Sequence, residues 1–260
     1  YSLEFDGVDD YVDCGNNASI EDISGDITVA TFLKTEINSI QSSMAIGKYQ
    51  GTEDAGWYIG ILDDGRVTAA GRAGYPGGHF YVPSDVAIND GQWHHVVLRR
   101  IVEGNDAVWS IIVDGVAKDS TIFNQGLISN THPLTFGKNH EGNDLHFTGL
   151  LDNVSIWNRA LTQEEIQQNV FSPDDGLGDE NLIGYWDFNN PPGNLLVDNS
   201  SYGNDGNING AGWTDEVPEP VFGCTDPIAT NYDTEATFSY GCDYNSNYAL
   251  EFDGVDDYVD

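Results

Sequence analysis

The sequence predicts an all-β sandwich, and three observations predict it. Short apolar runs separated by Gly, Asn and Asp recur roughly every ten residues, the rhythm of a chain that doubles back on itself in antiparallel strands. Turn signals sit between the runs, at Asp64-Gly65, Asn89-Asp90-Gly91 and Asp114-Gly115. Only residues 161–170 read as a helix, where Thr162 and Glu165 stand three apart as a capping box.

In order, the predicted strands begin with SLEF (2–5), which alternates polar and apolar side chains, and ITVATFLK (27–34), rich in β-branched residues. SMAIGKY (43–49), WYIGIL (57–62) and RVTAAGR (66–72) follow, the last two joined by the Asp64-Gly65 turn. WHHVVLRRIV (93–102) starts at Trp93, and its alternation sends His94 and His95 to opposite faces, an arrangement suited to packing and awkward for ligating one metal. VWSIIVDG (108–115), LTFGK (134–138), FTGLLDNVSIWN (147–158) and LIGYWDF (182–188) complete the set.

Charge narrows the function. Asp plus Glu number 43 against 9 Lys plus Arg, for a net charge of −34. Such a surface repels phosphate backbones, which excludes nucleic acid as the expected partner. Membrane insertion is not expected either, since no run of about 18 apolar residues is present. With 12 % aromatic residues the chain is no disordered acidic tail. Folded domains this acidic bind divalent cations or live in salty water.

After Trp213 the composition changes to TDEVPEPVF, acidic and proline-stiffened. The predicted organisation is a sandwich domain over 1–213, a linker over 214–222, a Cys-bounded mini-module over 223–244, and a further segment over 245–260. The mini-module is too short to be held by burial, so a Cys224–Cys242 disulfide is expected to contribute about 3 kcal/mol and to imply an oxidising, extracellular setting. Two free thiols in a coil are the alternative. Cys14 reads as a small buried residue, with intermolecular pairing as its alternative.

The segment 245–260 contains a repeat. Residues 248–260, YALEFDGVDDYVD, match residues 1–13, YSLEFDGVDDYVD, at 12 of 13 positions, a period of 247 residues. A period this long means that the repeated unit is a whole domain. Leu250, Phe252, Val255 and Tyr258 then form the apolar face of a strand in need of a sheet. Two arrangements supply one: the segment opens a second domain of a tandem polyprotein, or it inserts into a neighbouring molecule and builds a head-to-tail filament.

LEFDGVDDYVD, GDITVATFLK, GWYIGILDDGRV, DGQWHHVVLRR, WSIIVDGV, FTGLLDNVSIWNRALTQEEI, LIGYWDFNN and DNSSYGNDGNINGAGW, in this order, resemble a laminin G-like domain of the concanavalin A-like jelly-roll superfamily. The resemblance covers 1–213 and implies two face-to-face antiparallel sheets of about six or seven strands, a secreted or cell-surface setting, and adhesive roles. The mini-module is similar to short "GCTDP" repeats of large bacterial surface proteins. The resemblance also implies a structural Ca2+ that ties the first strand to a late one, with Asp6 and Asp152 at the matching positions and Asp10, Asp13 and Asn153 nearby. Acidic turns facing solvent are the competing reading. A second cation site in DNSSYGNDGN (198–207) competes with ordinary loop chemistry.

Hydrolases of this fold resemble one another in an E-x-D-x-x-E strand, and that string is absent; Asp63-Asp64 and Glu164-Glu165 fall in a turn and a helix. No other catalytic motif appears, and an enzyme is not expected. Glycan binding would fall to Tyr75, His79, Phe80 and Tyr81, or to the loop at His140, unless these side chains are lids over the core. The expected function is therefore a non-enzymatic structural or adhesive repeat, linked to copies of itself. A carbohydrate-binding module for polysaccharide or glycoprotein is the alternative.

Overall fold

The computed structural model describes residues 1–36, 43–49, 55–72, 78–124, 128–139, 145–168 and 178–244. Tyr75, His140, Leu250, Phe252, Val255 and Tyr258 lie outside the described residues. In chain order the strands are β1 (Ser2–Asp6), β2 (Tyr11–Asp13), β3 (Ile27–Lys34), β4 (Ser43–Lys48), β5 (Gly56–Ile61), β6 (Arg66–Arg72), β7 (His79–Ala87), β8 (Trp93–Glu103) and β9 (Asp106–Val113). They continue with β10 (Val116–Asn124), β11 (Thr135–Phe136), β12 (Thr148–Trp157), β13 (Leu182–Trp186), β14 (Leu195–Leu196), β15 (Gly206–Asn209), β16 (Gly212–Thr214), β17 (Phe222–Gly223) and β18 (Phe238–Ser239). Two short helices intervene, α1 (Ala18–Glu21) and α2 (Gln163–Gln168).

The architecture is a two-sheet antiparallel jelly-roll sandwich. The first sheet runs β10-β9-β8-β3-β12-β1-β16, with β13 branching from β12, and the second runs β14-β15-β2-β11-β4-β5-β6-β7. Residues 1–13 supply a strand to each. β1 is hydrogen-bonded on both sides, by β12 and β16, and β2 on both sides, by β11 and β15. Leu3, Phe5 and Val12 from this segment are fully buried between the sheets. Trp109 of the first sheet stacks on Phe80 of the second with ring centroids 3.8 Å apart.

A second apolar cluster covers the outer face of the first sheet, with Val97, Ile112, Trp157 and Leu182 beneath Leu161 and Ile166. Helix α2 is held there by its capping box: Thr162 Oγ1 accepts from the Glu165 N–H at 3.2 Å, and Glu165 Oε2 accepts from the Thr162 N–H at 2.7 Å. Strand alternation divides the two histidines as the sequence predicts. His95 is buried on the outer side, 4.9 Å from the Phe32 ring, while His94 points the other way to Asp114 and Asp90.

The chain forms two compact units, Tyr1–Glu219 and a second from Pro220. Composition assigned residues 214–219 to the connector, but they pack on the sandwich: the Glu216 carbonyl accepts from Ser2 Oγ at 2.6 Å, its carboxylate pairs with Lys34, and Pro218 is buried. In the second unit β17 and β18 pair in parallel, and Cys224 and Cys242 form a disulfide. Cys14 is free and buried, its thiol pushed up first by burial.

Candidate functional site

Three places gather the chemistry expected from the sequence. The first is the turn between β1 and β2. Gly7 has φ +78°, and a Cβ there would lie 1.9 Å from Thr148 Oγ1, so only glycine fits. The tight turn brings Asp6, Asp9 and Asp10 together, with one carboxylate oxygen from each within 4.8 Å of the others. Asp10 is buried and Oδ2 accepts from the Asp6 N–H at 2.8 Å. Burial raises its pKa, the Asp6 N–H works against that, and the charges of Asp6 and Asp9 add to the rise. Hard oxygens converging in mutual repulsion suit a hard cation such as Ca2+. Asp13 is not part of this group, since its Oδ1 accepts from the Gly15 N–H.

Asp152 and Asn153 lie elsewhere. Asp6 is opposite Thr148 and Leu3 opposite Leu151, so Asp152 falls opposite the level of Ser2, four residues or about 13 Å along the ladder from Asp6. Ligands of one Ca2+ sit at about 2.3–2.6 Å from it, and Asp6 and Asp152 cannot share an ion. Asn153 occupies a β-bulge with φ 49°, a conformation that Asn tolerates, and its Oδ1 accepts from the Tyr185 hydroxyl. Asp152 is 3 % exposed, and burial pushes its pKa up to about 7 against the opposing Asn153 N–H.

In the 198–207 loop, Asp198 accepts from the N–H groups of Tyr185, Ser200 and Asn204 and from Ser200 Oγ. Four donors occupy the carboxylate, which is then a loop organiser.

The second sheet carries an outward row of tyrosines. Register aligns Gly47, Tyr58, Ala70 and Tyr81 across β4, β5, β6 and β7. Tyr81 is 50 % exposed, and His79 beside it is exposed too, while Phe80 and Val82 point into the core. Tyr49 joins the row, its ring centroid 5.1 Å from that of Tyr58 and its hydroxyl 3.4 Å from His79 Nδ1. Burial, then the neighbouring Tyr49 and Tyr81, push the Tyr58 pKa up, so Tyr58 stays neutral. Sequence reasoning found His79 and Tyr81 and missed Tyr49 and Tyr58, which sit in runs that read as core. Phe80 is a core residue.

Comparison with solved structures bears on the fold. A Bacteroides ovatus protein suggested to be carbohydrate binding is similar over 81 % of this chain and 58 % of its own, with 16 % identity and a TM-score of 0.64. The binding domain of Paraclostridial Mosquitocidal Protein 1 is similar over 68 % of this chain and 52 % of its own, at 16 % identity and a TM-score of 0.50. Domains LG4-5 of the mouse laminin alpha1 chain are similar over 62 % of this chain and 44 % of their own, at 16 % identity and a TM-score of 0.46. This chain thus spans little more than half the length of the first two. Residues 6–167 match the Laminin_G_3 family model, described as the Concanavalin A-like lectin/glucanases superfamily.

Proposed function

From a chain that belongs to the Laminin_G_3 family, we propose a non-enzymatic extracellular module that serves as one link of a head-to-tail adhesive array. One observation carries the reading. Residues 1–13 fill an internal slot in both sheets and are paired on both sides in each. In a neighbouring copy the same slot is taken by that copy's own residues 1–13, and a donated 248–260 would displace a nearly identical strand pair without new contacts. In this reading residues 248–260 open a second jelly roll. By sequence equivalence Leu250, Phe252 and Val259 match the buried Leu3, Phe5 and Val12, and Val255 matches Val8, which is 68 % exposed. Support for the extracellular setting comes from the Cys224–Cys242 disulfide. The test is the mass of the native protein under denaturing, reducing conditions: many times 28.4 kDa for a tandem array, and near 28.4 kDa if the reading is wrong.

Calcium in this reading is held by Asp6, Asp9 and Asp10 and pins the turn that links the two sheets. Chelation is expected to lower the melting temperature of the wild type and leave Asp10→Asn unmoved by calcium; a wild type insensitive to chelation contradicts it.

A second reading, carbohydrate binding, is favoured by the tyrosine row, because the half-exposed Tyr81 ring beside the exposed His79 offers a flat apolar face that matches the apolar faces of sugars. Binding on a polysaccharide array that Tyr81→Ala abolishes supports it, and silence across the array counts against it.

A further inference from the structure

A separate cleft of about 460 Å³ lies away from the tyrosine row, where the chain preceding and forming α1 meets the end of β12, the start of β13 and the turn between β14 and β15. The volume is within the roughly 300–1,000 Å³ of small-molecule sites. Ile23 and Ile183, both buried, lie beneath its floor, while Asn17, Asp22, Asn158 and Tyr202 give it polar and aromatic surface.

The polar wall is fixed from below. Asn204 is fully buried; its Oδ1 accepts from Asn17 Nδ2 at 2.9 Å, and its Nδ2 donates to Ser19 Oγ at 3.2 Å and to the Ile183 carbonyl at 2.6 Å. The Asn204 N–H is tied to Asp198 and its carbonyl to Trp186 Nε1. Tyr202 is 40 % exposed, and its hydroxyl is spent on the Glu180 carbonyl at 2.6 Å, so what it offers a ligand is a positioned ring. Asn17, Asp22 and Asn158 are exposed at the edge of the cleft, where, among the described residues, the Asp22 carboxylate, the Asn158 amide and the Asn17 Oδ1 face solvent without a protein hydrogen-bond partner.

We propose that this cleft binds one neutral pyranose unit, with the Tyr202 ring against the sugar's C–H face and Asn17, Asp22 and Asn158 taking its hydroxyls. A pyranose is amphipathic in this way, apolar on a face and polar around its edge, and a carboxylate with amides matches vicinal hydroxyls that donate and accept together. The Asp22 charge and the net charge of −34 select against uronic, sialic and sulfated sugars. The inference rests on the carbohydrate-binding reading and assigns it a second location, independent of Tyr81.

The test uses the full chain titrated with the methyl glycosides of glucose, galactose, mannose and N-acetylglucosamine, and with galacturonate, by saturation-transfer NMR and calorimetry. At least one neutral glycoside is expected to bind, galacturonate more weakly. Tyr202→Ala should weaken binding at least about tenfold, the cost of one aromatic contact. Tyr202→Phe, which keeps the ring, should stay within about threefold, since tenfold corresponds to 1.4 kcal/mol. Asp22→Asn should narrow the gap between neutral and anionic sugars. Melting curves check that each variant is folded. No binding of any neutral glycoside, or wild-type affinity in Tyr202→Ala, overturns the proposal. Loss of binding in Tyr81→Ala with none in Tyr202→Ala overturns the cleft and leaves the tyrosine row standing.

Discussion

Replacing Asp152 by Asn removes one buried carboxyl without changing its shape, and the structure sets what should follow. Asp152 is 3 % exposed, and burial raises its pKa from 3.8 to about 7. The folded pKa is above the unfolded one, so the neutral acid's contribution to stability is full below about 3.8 and is lost as pH rises through about 7. At 1.36 kcal/mol for each pH unit between the two values, the whole effect is about 4 kcal/mol, of which more than half falls between pH 5 and pH 8. Urea unfolding of wild type and Asp152→Asn at those two pH values measures it. The remaining acidic groups are common to both chains, so the difference between the chains isolates Asp152. Wild type should lose about 2–3 kcal/mol more than the variant on going to pH 8. Calcium should not remove this difference, because Asp152 is remote from the Asp6–Asp9–Asp10 turn. Equal pH dependence in the two chains would refute the reasoning.

His94 stands 2.7 Å from Asp114 and 3.1 Å from Asp90; burial lowers its pKa, and the two carboxylates outweigh that and hold it above 6.5. Its ion pairs stabilise the fold at low pH and are lost as pH rises through the raised value, so an NMR titration of His94 at or below 6.5 would contradict this, and Asp114→Asn should lower it. Lys48 is buried, its pKa pulled down to about 8 by burial, and its ammonium donates to Asn16 Oδ1, to the carbonyls of Asn130 and His132, and to Asn130 Oδ1. Lys48→Met keeps the stem and strands those acceptors, and is expected to cost about 3–5 kcal/mol and roughly 10 °C in melting temperature; a loss under about 1 kcal/mol contradicts it. Replacing Cys224 and Cys242 by Ser should remove about 3 kcal/mol from the mini-module and with it the amide-exchange protection of residues 223–244; unchanged protection would show that packing alone holds it.

The long interior strands were legible, and two long edge strands and most of the short strands were not. ITVATFLK and WHHVVLRRIV have partners on both sides and read as strands on composition alone. The long strands that escaped, β7 and β10, are the outermost of their sheets, where Pro83 in one and a bulge at Ala117–Asp119 in the other weaken the signal. β2 and β14 to β18 escaped as well, being two to four residues each and too short to show an alternation. For the site, a sequence shows that Asp6 and Asp152 are acids and not that register separates them by about 13 Å. Asp9, which does meet Asp6, was passed over because two adjacent acids in a turn read as solvated surface. The cleft at Tyr202 is assembled from four distant segments and has no local signature.

Deleting residues 1–13 tests most directly whether 248–260 is a second copy of the β1–β2 pair. The chain 14–260 lacks Leu3, Phe5 and Val12 but retains the same side chains at Leu250, Phe252 and Val259. It should fold by placing residues 248–260 in the vacant slot, its own or that of a second copy, with near-native circular dichroism and a cooperative melt, whereas 14–247 should remain unfolded. If 14–260 is as unfolded as 14–247, residues 248–260 are not a competent opening of a jelly roll and the account of a tandem array fails.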